Sequence, residues 1–352
     1  MPVAFAPQYI LLLLRKAAGY HDPVMNAQSK PTAILLTYGD AGSWKALQVL
    51  DRERMDIRLL AFESSFFRND IRHIGELFPG LRLDALDFTP ELSAVLQRQM
   101  ASPAPLLSQV CVECRAAMLR AAGEFAAREG IDYIITGDTC SPGDRLRTPG
   151  VFHLIDEKSG QEGKVLRPLC HPARNPETGD PSSAPEAWAA AFPAARSLMP
   201  LARRPNCRLR DPSYFSRAWD LYLYGGPLSR RDIELLAVGR HFRLTEHARL
   251  VVGRNQEENL LIEGSRGLYE LLIKVENFPG PSAVLSYTAS PGEVRLAAAI
   301  CARYADLPGH VEVSVRVRSA REAWRVRASP APDSLCRQLA VRVWPELCDR
   351  RA

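Results

Sequence analysis

The chain has 352 residues, 46% hydrophobic and 24% charged. That balance belongs to a globular protein of two or three domains and excludes a disordered or fibrous chain. The net charge of +5 is unevenly placed: residues 201–352 carry 24 Lys and Arg against 17 Asp and Glu, and Lys274 is the only lysine among those cations. A basic, arginine-rich C-terminal part predicts a polyanionic partner, RNA above all. A G- and C-rich genome would raise arginine everywhere and would not concentrate it at one end.

Eight cysteines are scattered through the chain without the dense framework of a small secreted domain, which predicts a reducing, cytoplasmic compartment. Residues 1–30 are read as a disordered extension or an over-called start, with Met25 as a candidate start. The apolar run Tyr9–Leu14 is too short to span a bilayer, and Arg15 and Lys16 follow it, the wrong order for a signal peptide. No membrane partner is expected.

In chain order, Thr32–Thr37 reads as a buried strand, Tyr38–Ser43 as a glycine-containing turn and Trp44–Arg54 as a helix. A strand, a turn and a helix start make an anion site, because free backbone N–H groups and the helix dipole both favour phosphate there. Any βα turn shares the pattern. Strands are predicted at Asp56–Glu63, Leu81–Phe88, Ile131–Thr136 and Lys164–Leu169, and helices at Asn69–Leu77, Pro90–Met100 and from Cys111 to about Arg128. The alternation predicts a parallel sheet with helices on both faces, in which ligands sit at the carboxyl ends of the strands. Cys140–Gly163 reads as polar loop. Residues 171–206, rich in Pro, Ala and Ser, read as a lid or linker with one helix at Pro185–Ala191, followed by Cys207 and a helix from about Pro212 to Tyr224.

A smaller α+β domain is expected over 229–328. Its elements are a helix at Arg231–Val238, strands at Gly239–Leu244 and Arg249–Val252, a helix from Gly253, strands at Leu268–Val275 and Ser282–Tyr287, a helix at Pro291–Ala305 and a last strand at Glu312–Val317. The remaining divisions are 31–170 for the α/β domain, 171–228 for a segment completing the site, and 329–352 for a tail with a terminal element at Leu339–Trp344.

Cys111 and Cys114 form a C-x-x-C at a predicted helix start beside Arg115, a setting that favours thiolate. Such a pair holds a metal or a cluster edge, forms a redox disulfide, or is simply buried. Cys207 is a third candidate if the chain folds back. Three thiolates on an iron–sulfur cluster leave one iron open to a substrate sulfur; zinc is the alternative metal. Cys140 and Cys170 also lie at predicted strand ends and leave the ligand choice open. Trp44 is assigned to the core. His153, His171, His241 and His310 have no metal-site spacing.

The ordered series Cys111–Arg115, Ile134–Asp138, Leu166–Leu169, Cys207–Pro212 and Gly239–Leu244 resembles the PP-loop ATP pyrophosphatase family, in particular tRNA 4-thiouridine synthase-like and thiouridylase-like proteins, over roughly residues 30–250. The resemblance implies an adenine nucleotide alpha hydrolase-like fold of the HUP type. It also implies ATP with Mg, adenylation of a tRNA base and displacement of AMP by a sulfur nucleophile from a donor. It gives Cys111, Cys114 and Cys207 the catalytic role and a 4Fe–4S cluster, and places nucleotide at Gly39, Gly42, Ser43, Thr136, Gly137 and Asp138. The family's phosphate loop reads S-G-G-x-D-S, whereas this chain reads Y-G-D-A-G-S over 38–43. Asp40 replaces the second glycine and Gly42 the aspartate, so a carboxylate faces the phosphate position. Two alternatives follow: a catalytically degenerate RNA-binding protein, and a small-molecule sulfurtransferase.

Residues 252–259 (V-G-R-N-Q-E-E-N) and 274–282 (K-V-E-N-F-P-G-P-S) resemble the RNA-binding domain of NFACT proteins. That resemblance implies tRNA or another structured RNA as partner and makes Arg240, Arg254, Asn255 and Lys274 candidate contacts. For Arg254 and Asn255 the alternative is helix capping and a solvated charge.

Overall fold

A computed structural model describes residues 30–37, 41–50, 55–68, 74–76, 78–102, 106–141, 144–170, 207–225, 228–265, 267, 270–286, 289–309 and 311–343. The chain divides into two compact units, Met1–Arg208 with Glu346–Ala352, and Leu209–Pro345. The expected helix Pro185–Ala191 and most of Asn69–Leu77 lie outside the described residues.

The first unit is an α/β layer structure. Its elements are β1 (Thr32–Thr37), α1 (Ala41–Val49), β2 (Asp56–Glu63), β3 (Leu83–Asp87), α2 (Thr89–Met100), α3 (Leu107–Glu129), β4 (Tyr133–Ile135), α4 (Pro149–Ser159) and β5 (Val165–Leu166). All pairings are parallel, in the order β3-β2-β1-β4-β5. β1 reads T-A-I-L-L-T, a continuous apolar run, because both of its faces are covered. Ala33 and Leu35 pack with Ala46 and Leu47 of α1 and with Leu59 and Ala61 of β2. Residues of opposite parity meet helices on the other face: Phe62 contacts Phe88 at the foot of α2, with ring centroids 5.1 Å apart, and Arg58 lies over Phe125 of α3. Each fully buried Leu or Ile in this layer contributes about 1.5–3 kcal/mol. Trp44 packs against the same core, as the sequence predicts.

α4 corrects the reading of Cys140–Gly163 as loop. Thr148 caps it, accepting from the Val151 N–H, Pro149 occupies the first turn, and Gly160 ends it in the left-handed region at φ 67°.

The second unit contains α5 (Pro212–Gly225), α6 (Arg230–Leu235), β6 (Arg240–Arg243), β7 (Arg249–Val252), α7 (Gln256–Gly264), β8 (Glu270–Val275), β9 (Ser282–Ser286), α8 (Pro291–Arg303), β10 (Val313–Arg318), β11 (Ala323–Ala328) and α9 (Asp333–Leu339). Its sheet is antiparallel, in the order β11-β10-β8-β9-β7-β6. α8 carries Ala297, Ala298 and Cys301 into the core beneath Ile273, Val315 and Val317. Two expectations are corrected here. Val313–Arg318 is not the last strand, because β11 pairs along all of it from Val313↔Ala328 to Arg318↔Ala323. The last element among the described residues is a helix at Asp333–Leu339, followed by a bridge from Ala340 to Phe242, and it ends where the expected Leu339–Trp344 begins.

Candidate functional site

In the first unit the cysteines gather from distant parts of the chain. Cys111 and Cys114 lie three residues apart on α3 and so share a face. α3 begins at Leu107, which puts Cys111 beyond the four free N–H groups of the first turn, where the helix dipole acts. The thiolate expected from a helix start is therefore not what α3 provides. Burial, with Cys207 and Cys111 close by, pushes the Cys114 thiol well above its ordinary pKa, and Arg115 only partly opposes this. Cys207 is brought in by backbone pairing: it bridges antiparallel to Phe67, and the Arg208 N–H donates to the Phe66 carbonyl at 2.8 Å. Residues 66–67 follow β2, so the chain returns to the carboxyl end of the sheet.

Cys140 and Cys170 form a separate pair. The Cys170 thiol donates to the Asp138 carbonyl at 3.4 Å, and its pKa is raised by burial and by its hydrogen bond with Cys140. Neither acts on Cys114. Among the described residues, no three His, Cys, Asp or Glu side chains are arranged to hold a single metal ion. Cys111, Cys114 and Cys207 are soft donors by chemistry, three where a closed zinc site or a fully ligated cluster takes four.

The residues expected at nucleotide also lie together, except Gly39, which falls outside the described residues. Ser43 is buried and its hydroxyl donates to the Leu36 carbonyl at 3.3 Å. Gly137 packs so closely on α1 that a Cβ there would collide with the backbone of Gly42 and Ser43. The ends of β1 and β4 thus meet at the start of α1. The Asp40 carboxylate lies outside the described residues.

Asp138 is held in an ion network. Its carboxylate accepts from Arg115 at 2.7 Å, the Thr136 hydroxyl at 2.9 Å and Arg167 Nε at 3.3 Å. Arg167 also grips Asp156 with two bonds of 2.7 Å. Burial opposes the charge on Arg167, but Asp156 and Asp138 outweigh it and its pKa is raised. Both guanidiniums also lie against Phe152, each 4.8 Å from its ring centroid. Asp156 and Phe152 were missed because both belong to α4. A Thr-Pro pair before an apolar residue was the available signal.

In the second unit the four candidate RNA contacts differ. Asn255 caps α7, its side-chain carbonyl accepting from the Glu258 N–H at 2.9 Å. Arg254 forms a fork with Glu258, including Nε–Oε1 at 2.9 Å, and Lys274 pairs with Glu263 at 2.8 Å. Both cations remain almost half exposed, at 45% and 46%. Arg240 lies 4.5 Å over the ring of Tyr304 and donates to the Gly253 carbonyl at 3.4 Å. Gly253 has no room for a side chain, because Asn259 fills that space and accepts the Ser282 N–H at 2.9 Å.

A model of the NFACT protein RNA-binding domain matches residues 239–338. A search of curated proteins returned no match. Similar solved structures include a 4-thiouridine synthetase in complex with RNA and bound ATP, 20% identical with a TM-score of 0.36. That likeness covers 48% of this chain and only 42% of the synthetase. The U34-tRNA thiolase NcsA from Methanococcus maripaludis, with its 4Fe–4S cluster, is 11% identical at TM-score 0.28, over 55% of this chain and 75% of that one. The C-terminal part of the fibronectin/fibrinogen-binding protein from Streptococcus suis is 13% identical at TM-score 0.27, over 72% and 98%. At these values the structural likenesses add nothing to what the fold itself displays. The chain joins a parallel α/β unit that gathers three thiols to an antiparallel unit matching an RNA-binding domain. Among the described residues no helix is long and apolar enough to cross a membrane.

Proposed function

We propose that the chain is a tRNA sulfurtransferase of the PP-loop type, which uses ATP to activate a base carbonyl and cysteine-held sulfur chemistry to replace its oxygen. The observation that carries this is the gathering of Cys111, Cys114 and Cys207 beside the carboxyl end of a parallel sheet. The three thiols would hold the cluster, which when bound supplies an open iron for a sulfur ligand. The first-turn amides of α1 would bind a phosphate of the nucleotide. Asp138, fixed by Arg115 and Arg167, holds the end of β4 in place beside them. The Arg-rich second unit would hold the RNA, in keeping with the domain match over 239–338.

The test is anaerobic purification with iron and sulfide assays, alongside Cys111→Ala and Cys207→Ala, and nucleoside analysis of tRNA from a deletion strain. Iron with sulfide in the wild type, lost in both variants, and one missing thiolated nucleoside would support the reading. A colourless, iron-free protein would remove the cluster.

The second reading is an RNA-binding protein that keeps the fold without the chemistry. The loop sequence favours it, with Asp40 and Gly42 where the family has glycine and aspartate. Calorimetry with ATP and Mg separates the two, since only the first requires the nucleotide to bind.

A further inference from the structure

Within the second unit, a cleft of about 290 Å³ opens between β6, α5 and the segment from α8 to α9. Four arginines line it: Arg217, Arg240, Arg254 and Arg337. The ion pairs around it are Arg254–Glu258, Arg303–Asp333 and Arg243–Asp220. Arg217, Arg240 and Arg337 belong to no ion pair among the described residues. Three guanidiniums thus share one small concavity whose lining holds a single carboxylate, Asp333, itself paired with Arg303.

Two of the three are held in place by neutral partners, a backbone carbonyl and an aromatic ring. Arg217 is half-buried and donates to the Leu236 carbonyl at 3.0 Å. Burial and the like charge of Arg254 push its pKa down, and Asp211 and Glu258 only partly oppose them. Arg240 is fixed flat over Tyr304. His241, which also lines the cleft, is kept neutral by burial and by Arg249 and Arg217. Cations crowded in this way raise the energy of the empty fold, and an incoming anion would lower it. Guanidinium forks match the paired oxygens of a phosphate. The volume lies just below the roughly 300–1,000 Å³ common for ligand sites, which suits a single phosphate-bearing unit.

We propose that this cleft is a phosphate subsite for a single-stranded stretch of RNA, with Arg217, Arg240 and Arg337 contacting one nucleotide's phosphate oxygens. The inference rests on the RNA-binding part of the function proposed above and needs none of its sulfur chemistry. Arg217 and Arg337 are assigned here by geometry alone. Arg217 sits on α5, outside the segment matched to the RNA-binding domain.

The test uses the full chain and a short single-stranded RNA of mixed sequence, with affinity measured at several salt concentrations. Arg217→Gln and Arg337→Gln are compared with Arg230→Gln, an exposed residue away from the cleft. Each cleft variant is expected to weaken binding about 5–10-fold and to flatten the slope of log K against log salt by about 0.7. Arg230→Gln should change neither. Arg337 is exposed on α9, so its loss leaves the fold standing if Arg217→Gln unfolds. Wild-type binding with affinity and slope unchanged in the cleft variants overturns the subsite and leaves the RNA reading intact. No wild-type binding to this RNA or to tRNA overturns both. Displacement of the RNA by an acidic peptide of equal charge overturns the subsite in favour of a protein partner.

Discussion

Arg115 and Arg167 grip one carboxylate, that of Asp138, at 2.7 and 3.3 Å, and both guanidiniums lie 4.8 Å from the ring centroid of Phe152. The relationship ties α3, α4, β5 and the loop after β4 to a single residue. Two cations beside one ring repel each other unless the shared anion is present.

Asp138→Asn should therefore destabilise the first unit. Removing one partner of a buried pair costs about 3–5 kcal/mol. Asp138 is partly exposed, so about 1–3 kcal/mol is expected. Urea denaturation followed by tryptophan fluorescence would show a lower midpoint. An unchanged midpoint would mean that Arg167 is satisfied by Asp156 alone.

The raised pKa of Cys114 gives a chemical signature in the metal-free protein. At mildly alkaline pH, iodoacetamide should modify Cys111 and Cys207 before Cys114, because alkylation requires the thiolate. Burial is the largest cause of the shift and Cys207 the next. Cys207→Ala should thus speed Cys114 labelling modestly, read by peptide mass spectrometry. Equal rates at all three positions would contradict the arrangement.

His241 makes the second unit sensitive to acid. Its ring is 5% exposed, its Nε2–H donates to the Val238 carbonyl at 2.8 Å, and burial with Arg249 and Arg217 holds its pKa well below 6.5. Below 6.5 the unfolded chain takes up a proton that the folded chain refuses. Stability then falls as pH falls, by at most about 1.4 kcal/mol per pH unit from this residue, until the folded pKa is reached. Melts between pH 7 and pH 5 would record the loss, and His241→Gln should flatten it.

Asn255 separates capping from recognition. Asn255→Ala should cost about 1 kcal/mol in thermal or chemical denaturation, the usual loss of a helix cap. RNA affinity measured below the melting transition should stay the same, because the side-chain carbonyl is already engaged by Glu258 N–H. A large drop in affinity with unchanged stability would restore Asn255 as a contact.

Most strands were legible because their signal is local. β1 and β2 are short apolar runs covered on both faces, β7, β8 and β9 carry buried runs of three or four residues, and β10 follows its apolar alternation. β11 was not legible for the opposite reason. Its residues, A-W-R-V-R-A, alternate, but three of the six are exposed and Ala328 alone is buried, as suits the outer strand of a sheet. The thiols show the same division. Cys111-x-x-Cys114 can be seen in any window, whereas the nearness of Cys207 depends on one backbone bridge to Phe67, 140 positions away. Arg217 could not be singled out, since nothing on α5 marks it from other half-buried arginines. It acquires meaning only when Arg240 and Arg337 arrive from β6 and α9.

The contact of Gly137 with Gly42 and Ser43 sets a limit on inheritance as well as on shape. Any larger residue at 137 must push the tip of one strand off the helix that begins beside its neighbour, and no compensating change nearby can shrink a main chain. In a saturation library selected for folded protein, position 137 should return glycine almost alone, while the adjoining positions tolerate several alternatives.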